Sequence, residues 1–204
     1  VDILSGTSAG GLNAIFLAKA LANNQEFSKL AEVWKNVADV NTLIYDRESV
    51  KGLPVRLEVP ELPGYLMNSQ RMAYLLYNAF NDMDASKPID HASDFVSELD
   101  LYVTATDLYG RNIELQTSNP GSSPQEKRFR KVFHLRYAKG NNGQNDFTKS
   151  DNPFLAFISR CTSAIPPAFE AMTLNDMLTL PGVDVSVEKR NGWKKHFEET
   201  EKDR

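Results

Sequence analysis

Residues 5–11 read Ser5-Gly6-Thr7-Ser8-Ala9-Gly10-Gly11, and the fold turns on how this stretch is understood. It contains Gly6-x-Ser8-x-Gly10, the spacing of a nucleophile elbow, where a strand enters a helix through a turn tight enough to hold the central serine alone at the bend. The flanking residues must be small, because larger ones would collide with the strand, the helix or a substrate, and glycine tolerates a strained backbone. Upstream, Val1-Asp2-Ile3-Leu4 is a short apolar run suited to a buried strand, and downstream Gly11 to Leu21 reads as a mostly buried helix. Strand, elbow and helix therefore occur in the required order. A phosphate-cradling loop needs Lys and then Ser or Thr after its last glycine, and Gly10-Gly11-Leu12-Asn13 offers neither. A dinucleotide fingerprint fails for want of a third spaced glycine. The bland alternative is a strand–helix turn whose glycines serve only close packing.

The chain has 204 residues, enough for one domain with its own core, and its 41% hydrophobic and 25% charged residues are ordinary for a globular protein. A net charge of −4 argues against a dedicated nucleic-acid binder, whose affinity rests on clustered cations that release counterions from phosphate. The single cysteine, Cys161, cannot form an internal bridge; packing is its expected role, and a reducing compartment is consistent with it. No apolar run is long enough to span a bilayer. The expected location is cytoplasmic or peripheral to a membrane. Because the sequence opens at Val1, inside a core strand and without an initiator Met, the expectation is a piece of a longer protein. Oligomeric state is not legible.

Further along, Phe27, Leu30, Ala31, Val33, Trp34 and Val37 recur at helical spacing from Glu26 to Ala38. From Asn41 to Gly64 the prolines and glycines interrupt every period and predict a loop that could cover the serine. Asn68 or Ser69 can cap a third helix carrying Met72, Leu75, Leu76, Ala79 and Phe80, a stripe expected in the core. Leu99 to Thr106 reads as a central strand that Asp107 to Asn112 turns back into Ile113 to Gln116 as a hairpin. Lys131 to Tyr137 is another strand, Gly140 to Ser150 a polar connection, and Phe154 to Arg160 a short helix. Helices and strands in this order make an α/β layer architecture the economical expectation.

A serine hydroxyl is a weak nucleophile at neutral pH and needs both a base and donors for the oxyanion. One route is a histidine that follows an acid along the chain, as in α/β-hydrolases. His91 sits beside Asp90 in a loop, His134 lies in a strand pattern, and His196, after Asp176 and Asp184, lies in a charged helical run. Each reads more simply as a surface or packing histidine. The other route is an aspartate acting alone as base in a dyad.

Ser5 to Ala14 closely resembles the elbow of the patatin-like phospholipases, and more narrowly that of a bacterial subgroup called patatin-related proteins. Far along the chain, Arg160-Cys161-Thr162-Ser163-Ala164-Ile165-Pro166-Pro167-Ala168-Phe169 resembles the family's Ser-Ala-x-Pro-x-x-Phe segment, and Val103 to Leu108 is similar to one of its core strands. The resemblance implies a three-layer α/β/α lipid acyl hydrolase using a Ser-Asp dyad, with no metal or cofactor. Ser8 matches the nucleophile, Gly6 and Gly10 the elbow, and the Ala9 backbone N–H an oxyanion donor. The family's glycine-rich oxyanion loop precedes the elbow strand, and only four residues stand before Ser5 here. Its catalytic aspartate belongs to an Asp-Gly motif, and the chain has no Asp-Gly pair; Asp184 does not match. Residues 1–204 are thus expected to form a partial patatin-like domain ending before that aspartate. The implied partner is a phospholipid or related acyl lipid, with Leu12, Phe16, Pro166, Pro167 and Phe169 as expected apolar neighbours of the serine. Lys127 to Lys131 and Lys189 to Lys195 mix cations with an aromatic, a composition suited to anionic headgroups and peripheral membrane contact, although such runs are more often solvated surface. The alternatives are a His-dependent esterase and a patatin-like binding module without chemistry.

Overall fold

The computed structural model describes residues 2–36, 39–51, 53, 64–86, 88–89, 96–115, 124–140 and 143–198. Strand β1 (Asp2–Thr7) runs into helix α1 (Ala9–Asn23), followed by α2 (Lys29–Asn36), the single turn α3 (Val40–Leu43) and α4 (Ser69–Ala85). Two long strands, β2 (Glu98–Glu114) and β3 (Gln125–Ala138), lead to α5 (Asn152–Thr162), the short α6 (Leu174–Leu178) and α7 (Val187–Glu198). The described strands form one sheet in the order β1-β2-β3. β1 lies parallel to β2, from Asp2 opposite Leu99 to Thr7 opposite Thr104, and β2 lies antiparallel to β3. The chain is therefore α/β with a mixed sheet, as its patterning predicts.

One face of that sheet is the core. Leu99, Leu101 and Val103 of β2 and Phe133 and Leu135 of β3 are buried there. A Cβ on Gly11 of α1 would lie 3.2 Å from Val103, while Phe154, Phe157 and Phe197 surround Phe133 edge-on or tilted. The opposite face carries Asp100, Tyr102, His134 and Arg136, so the described residues build the sheet and one helical layer of the three-layer arrangement expected from the sequence.

Helix α1 is the centre of this layer. Leu12, Ile15, Phe16, Ala18 and Ala20 are buried, and Lys19, fully enclosed, is held by Asp84 of α4 at 2.9 and 3.1 Å and by the Phe147 carbonyl at 3.0 Å. Burial pushes the Lys19 ammonium below its ordinary pKa, opposed by the bond to Asp84. Phe16 stacks on Phe80 of α4 at 4.3 Å between centroids. α4 begins as expected: the Asn68 side chain accepts from the Arg71 N–H, and Met72, Leu76 and Phe80 form its buried stripe.

Three expectations need correction. Of the buried strand expected over residues 1–4, Val1 lies outside the described residues, and Asp2 to Leu4 are not buried: β1 has β2 as its one partner among the described residues, and Ile3 is 69% exposed. Asp107 to Asn112 does not reverse the chain. Its turn chemistry instead makes a bulge within β2, the Asp107 carboxylate accepting from the N–H groups of Tyr109 and Gly110, with Gly110 at φ 65°. The true partner of β2 is β3. The helix predicted from Glu26 to Ala38 is shorter, burying only Leu30 and Val33 of the predicted set while Phe27, Ala31 and Trp34 stay exposed; residues 37 and 38 lie outside the described residues.

The Phe16–Phe80 stack joins the two longest helices, so Phe80→Ala should cost about 3–5 kcal/mol of stability. Urea unfolding followed by circular dichroism measures it, and a loss under about 1 kcal/mol would contradict this packing.

Candidate active site

At the junction of β1 and α1, Ser8 takes φ 55° and ψ −130°, a conformation that non-glycine residues rarely adopt. The surroundings hold it there. A Cβ on Gly6 would lie 2.5 Å from the Gly10 carbonyl oxygen and 2.7 Å from Gly11 Cα, so strand and helix approach closer than any side chain at residue 6 permits. Gly11 meets Thr162 and Val103 almost as tightly. Gly10 differs: nothing lies within 4 Å of a Cβ placed there. The steric need expected of both flanking glycines therefore belongs to Gly6, and Gly11 shares it, a role that the sequence pattern did not single out.

The Ser8 N–H donates to Thr162 Oγ1 at 2.8 Å, across 154 positions of sequence. Thr162 ends α5, within the second segment that resembles the family, so the two motifs meet at the serine backbone. The helical ladder of α1 starts where the Leu12 N–H donates to the Ser8 carbonyl at 3.0 Å. The N–H groups of Ala9, Gly10 and Gly11 are left without intrahelical acceptors at the positive end of the helix.

Ser8 and Ala9 open into a pocket of about 220 Å³ lined by Leu12, Val33, Leu43, Met67, Met72 and Phe169, with Trp34, Ser163 and Ile165 completing the wall. Its walls are pinned by the backbone. The Met67 N–H donates to the Ala168 carbonyl at 2.8 Å and the Asn68 N–H to the Leu43 carbonyl at 2.7 Å. Behind them, the fully buried Arg160 donates to Ser69 Oγ at 2.8 Å and to the Glu170 carbonyl at 3.1 Å, its guanidinium 4.1 Å from the Phe169 ring centroid. Desolvation lowers this arginine to a pKa of about 10.

Of the expected apolar neighbours of the serine, Leu12 and Phe169 line the pocket. Phe16 is in the core against Phe80, and Pro166 and Pro167 are exposed outside the lining. The stripe of α4, read from sequence as core alone, supplies Met72 to the pocket as well. His134 bonds Asp100 at 2.6 Å and stacks on Tyr102, on the sheet face away from the core; that bond holds the Asp100 carboxyl below its ordinary range. His196 packs on Phe154 at 5.1 Å. His91 lies outside the described residues, and neither of the other two lines the pocket. Asp176 caps α6 by a reciprocal bond with Thr173, and Asp184 is exposed. Cys161 is a thiol raised by desolvation to about 12, a packing residue with little nucleophilic character at neutral pH.

A family model described as Patatin-like phospholipase matches residues 1–184. The chain belongs to that family. A relative, an uncharacterized membrane protein of Mycobacterium tuberculosis, is 26% identical over 175 residues, which cover 83% of this chain and 14% of that protein. The chain thus spans about a seventh of the relative's length. No solved structure matches it. No described helix is long and apolar enough to cross a membrane. Patatin-like phospholipases as a family act on lipid acyl esters.

The asymmetry of the elbow glycines gives a direct check. Gly6→Ala should cost about 3 kcal/mol or more, because its obstacle is backbone, while Gly10→Ala should change stability by no more than about 1 kcal/mol. Thr162→Val should cost about 1–3 kcal/mol by orphaning the Ser8 N–H. Chemical denaturation of the three variants tests the ranking; equal losses at Gly6 and Gly10 would refute this geometry.

Proposed function

We propose that Ser8 is the nucleophile of a phospholipase A-type acyl hydrolase and that the pocket beside it takes one acyl chain of the substrate. The observation that carries this is a serine in a strained backbone conformation, at the N-terminus of a buried helix, opening into an apolar pocket. At about 220 Å³ the pocket falls below the roughly 300–1,000 Å³ of sites that enclose whole drug-sized ligands, which suits a chain entering alone while glycerol and headgroup stay outside.

In this mechanism a carboxylate base removes the Ser8 hydroxyl proton as Oγ attacks the ester carbonyl carbon. Negative charge gathers on the former carbonyl oxygen, where the Ala9 N–H and the positive end of α1 stabilise it. Collapse of this intermediate expels the lysolipid alcohol, which takes the proton from the base, and leaves the acyl group on Ser8. Water, deprotonated by the same base, then releases the fatty acid and restores the hydroxyl. The family resemblance assigns the base to an aspartate of an Asp-Gly motif, which these 204 residues do not contain, so the dyad draws its second member from elsewhere in the protein. Peripheral contact with a membrane belongs to the same proposal, because the substrate resides there.

A fluorophosphonate probe should label the full-length protein at Ser8, and Ser8→Ala should abolish both labelling and phospholipid hydrolysis. Replacing all three histidines should leave activity within about tenfold, since none serves as base. Residues 1–204 alone should turn over at least about 10²-fold more slowly than the full-length protein, for want of the base and further oxyanion donors. Loss of activity in a folded triple-histidine variant would favour the His-dependent esterase. A folded protein that takes no label would make this domain a binding module.

A further inference from the structure

The pocket beside Ser8 has a mouth and a floor, and burial tells them apart. Leu12, Val33, Leu43, Met72 and Phe169 are each at most 8% exposed, whereas Trp34 and Ile165 are 40% and 60% exposed. Ser8 is half-buried and Ala9 exposed, so the nucleophile stands at the mouth. A chain whose ester carbonyl is held at Ser8 therefore points its far end at the five buried side chains. Trp34 marks the rim, its indole N–H donating to Asn13 Oδ1 of α1 at 2.9 Å.

The interior is limited in size. An apolar cavity of about 150 Å³ holds one benzene ring, so about 220 Å³ has room for roughly eight or nine carbon atoms. Each methylene moved from water into an apolar site gains about fourfold in binding, and that gain ends where the chain meets the floor. Four of the five floor residues are stiff or pinned. Val33 is β-branched, Leu12 belongs to the buried start of α1, the Leu43 carbonyl is held by the Asn68 N–H, and Phe169 lies against the Arg160 guanidinium. Met72 differs. Its N–H donates to the Asn68 carbonyl at 3.2 Å, fixing its backbone in the first turn of α4, but its unbranched side chain has three rotatable bonds and ends in a soft thioether. A chain pressing on this floor meets its least resistance there.

We propose that the pocket is a ruler for acyl chains of about eight or nine carbons and that Met72 sets where it ends. This deepens the reading of Ser8 as the nucleophile of an acyl hydrolase and rests on it, naming esters of medium-length fatty acids as the favoured substrates. Carbons of a longer chain find no further place inside and add nothing to binding. Truncating Met72 to alanine removes three heavy atoms from the floor and extends the ruler.

The test is the hydrolysis of a series of water-soluble acyl esters, four to sixteen carbons long, by the full-length protein below the micellar concentration of each. kcat/KM should rise about fourfold per carbon and stop rising at about nine. Met72→Ala should move that end-point out by about two carbons, Val33→Phe should bring it in by a similar amount, and the volume-conserving Met72→Leu should leave it in place. Because Met72 also belongs to the hydrophobic core, each variant is judged by the ratio of its own values for different chain lengths, which does not depend on the fraction folded. A rise that continues unbroken to sixteen carbons, or no dependence on length, overturns the proposal. So does an end-point that Met72→Ala leaves unmoved; should that variant not fold, Val33→Phe decides in its stead. Calorimetric titration of the Ser8→Ala protein with free fatty acids of four to twelve carbons reads the same end-point without chemistry. An end-point in binding from a protein that hydrolyses none of the esters would sustain the ruler and sink the hydrolase reading, while hydrolysis with no end-point would sink the ruler alone.

Discussion

The approach of β1 to the first turn of α1 governs the rest of this domain. At Gly6 the two backbones are so close that no Cβ fits, and at Gly11 the same helix presses against Val103 and Thr162. Between those contacts Ser8 has no freedom to relax to an ordinary conformation, and its N–H is fixed by Thr162. A residue in such a conformation stores strain on the order of 1–3 kcal/mol, which persists only if its surroundings over-determine it. Here the surroundings are core: the Ala18, Ile15 and Phe16 turns of α1 are buried, and Lys19 is locked to Asp84. The strained point is thus anchored by the least yielding part of the structure.

That anchoring also explains how a pocket can form from segments far apart in sequence. α5 reaches Ser8 through Thr162, and the chain after it turns past Ser163 and Ile165 to Phe169, placing those side chains around the serine. The wall is then joined to the start of α4 by Met67 and Ala168 and to α3 by Asn68 and Leu43. Arg160 lies beneath, facing no carboxylate among the bonds that hold it, with Nε and Nη1 making no hydrogen bond among the described residues. A cation enclosed in this way is a weak source of stability, and its lowered pKa reflects the same desolvation. Its evident work is geometric, fixing Ser69, Glu170 and the Phe169 ring in one arrangement.

How far the sequence discloses this structure depends on the range of the forces involved. The elbow, the helix after it and the Asn68 cap are set by neighbours within a few residues, and their patterns can be read directly. The stripe of α4 is legible as buried, but not that its first member would border a pocket, because that depends on α2 and the segment after α5. The bulge is the clearest failure. Asp107 and Gly110 carry real turn chemistry, and an Asx-type turn does form there. What the local pattern cannot contain is the strand alongside: with β3 paired on both sides of the irregularity, the chain resumes its course at Arg111 instead of reversing. Gly6 and Gly10, equivalent in the motif, are likewise separated only by three-dimensional context.

The two basic runs carry the same lesson into electrostatics. Both place cations beside an aromatic residue, and composition alone assigns them one role. In α7, Lys189 and Trp193 converge on Asp151 at the start of α5, at 2.6 and 3.3 Å, so that lysine and the ring are taken up in packing while Arg190, Lys194 and Lys195 stay exposed. In β3 the period of two divides the run between faces: Lys131 turns inward over Phe133, while Arg128 and Arg130 share a face with Arg111 from the neighbouring strand. Which face a cation takes and which groups it can reach are therefore decided by strand parity and by the neighbours on the adjoining strand. Both are consequences of the register that the β2–β3 pairing imposes, and that register continues the one that places Thr104 beside Thr7 and so, one residue further, brings the chain to Ser8.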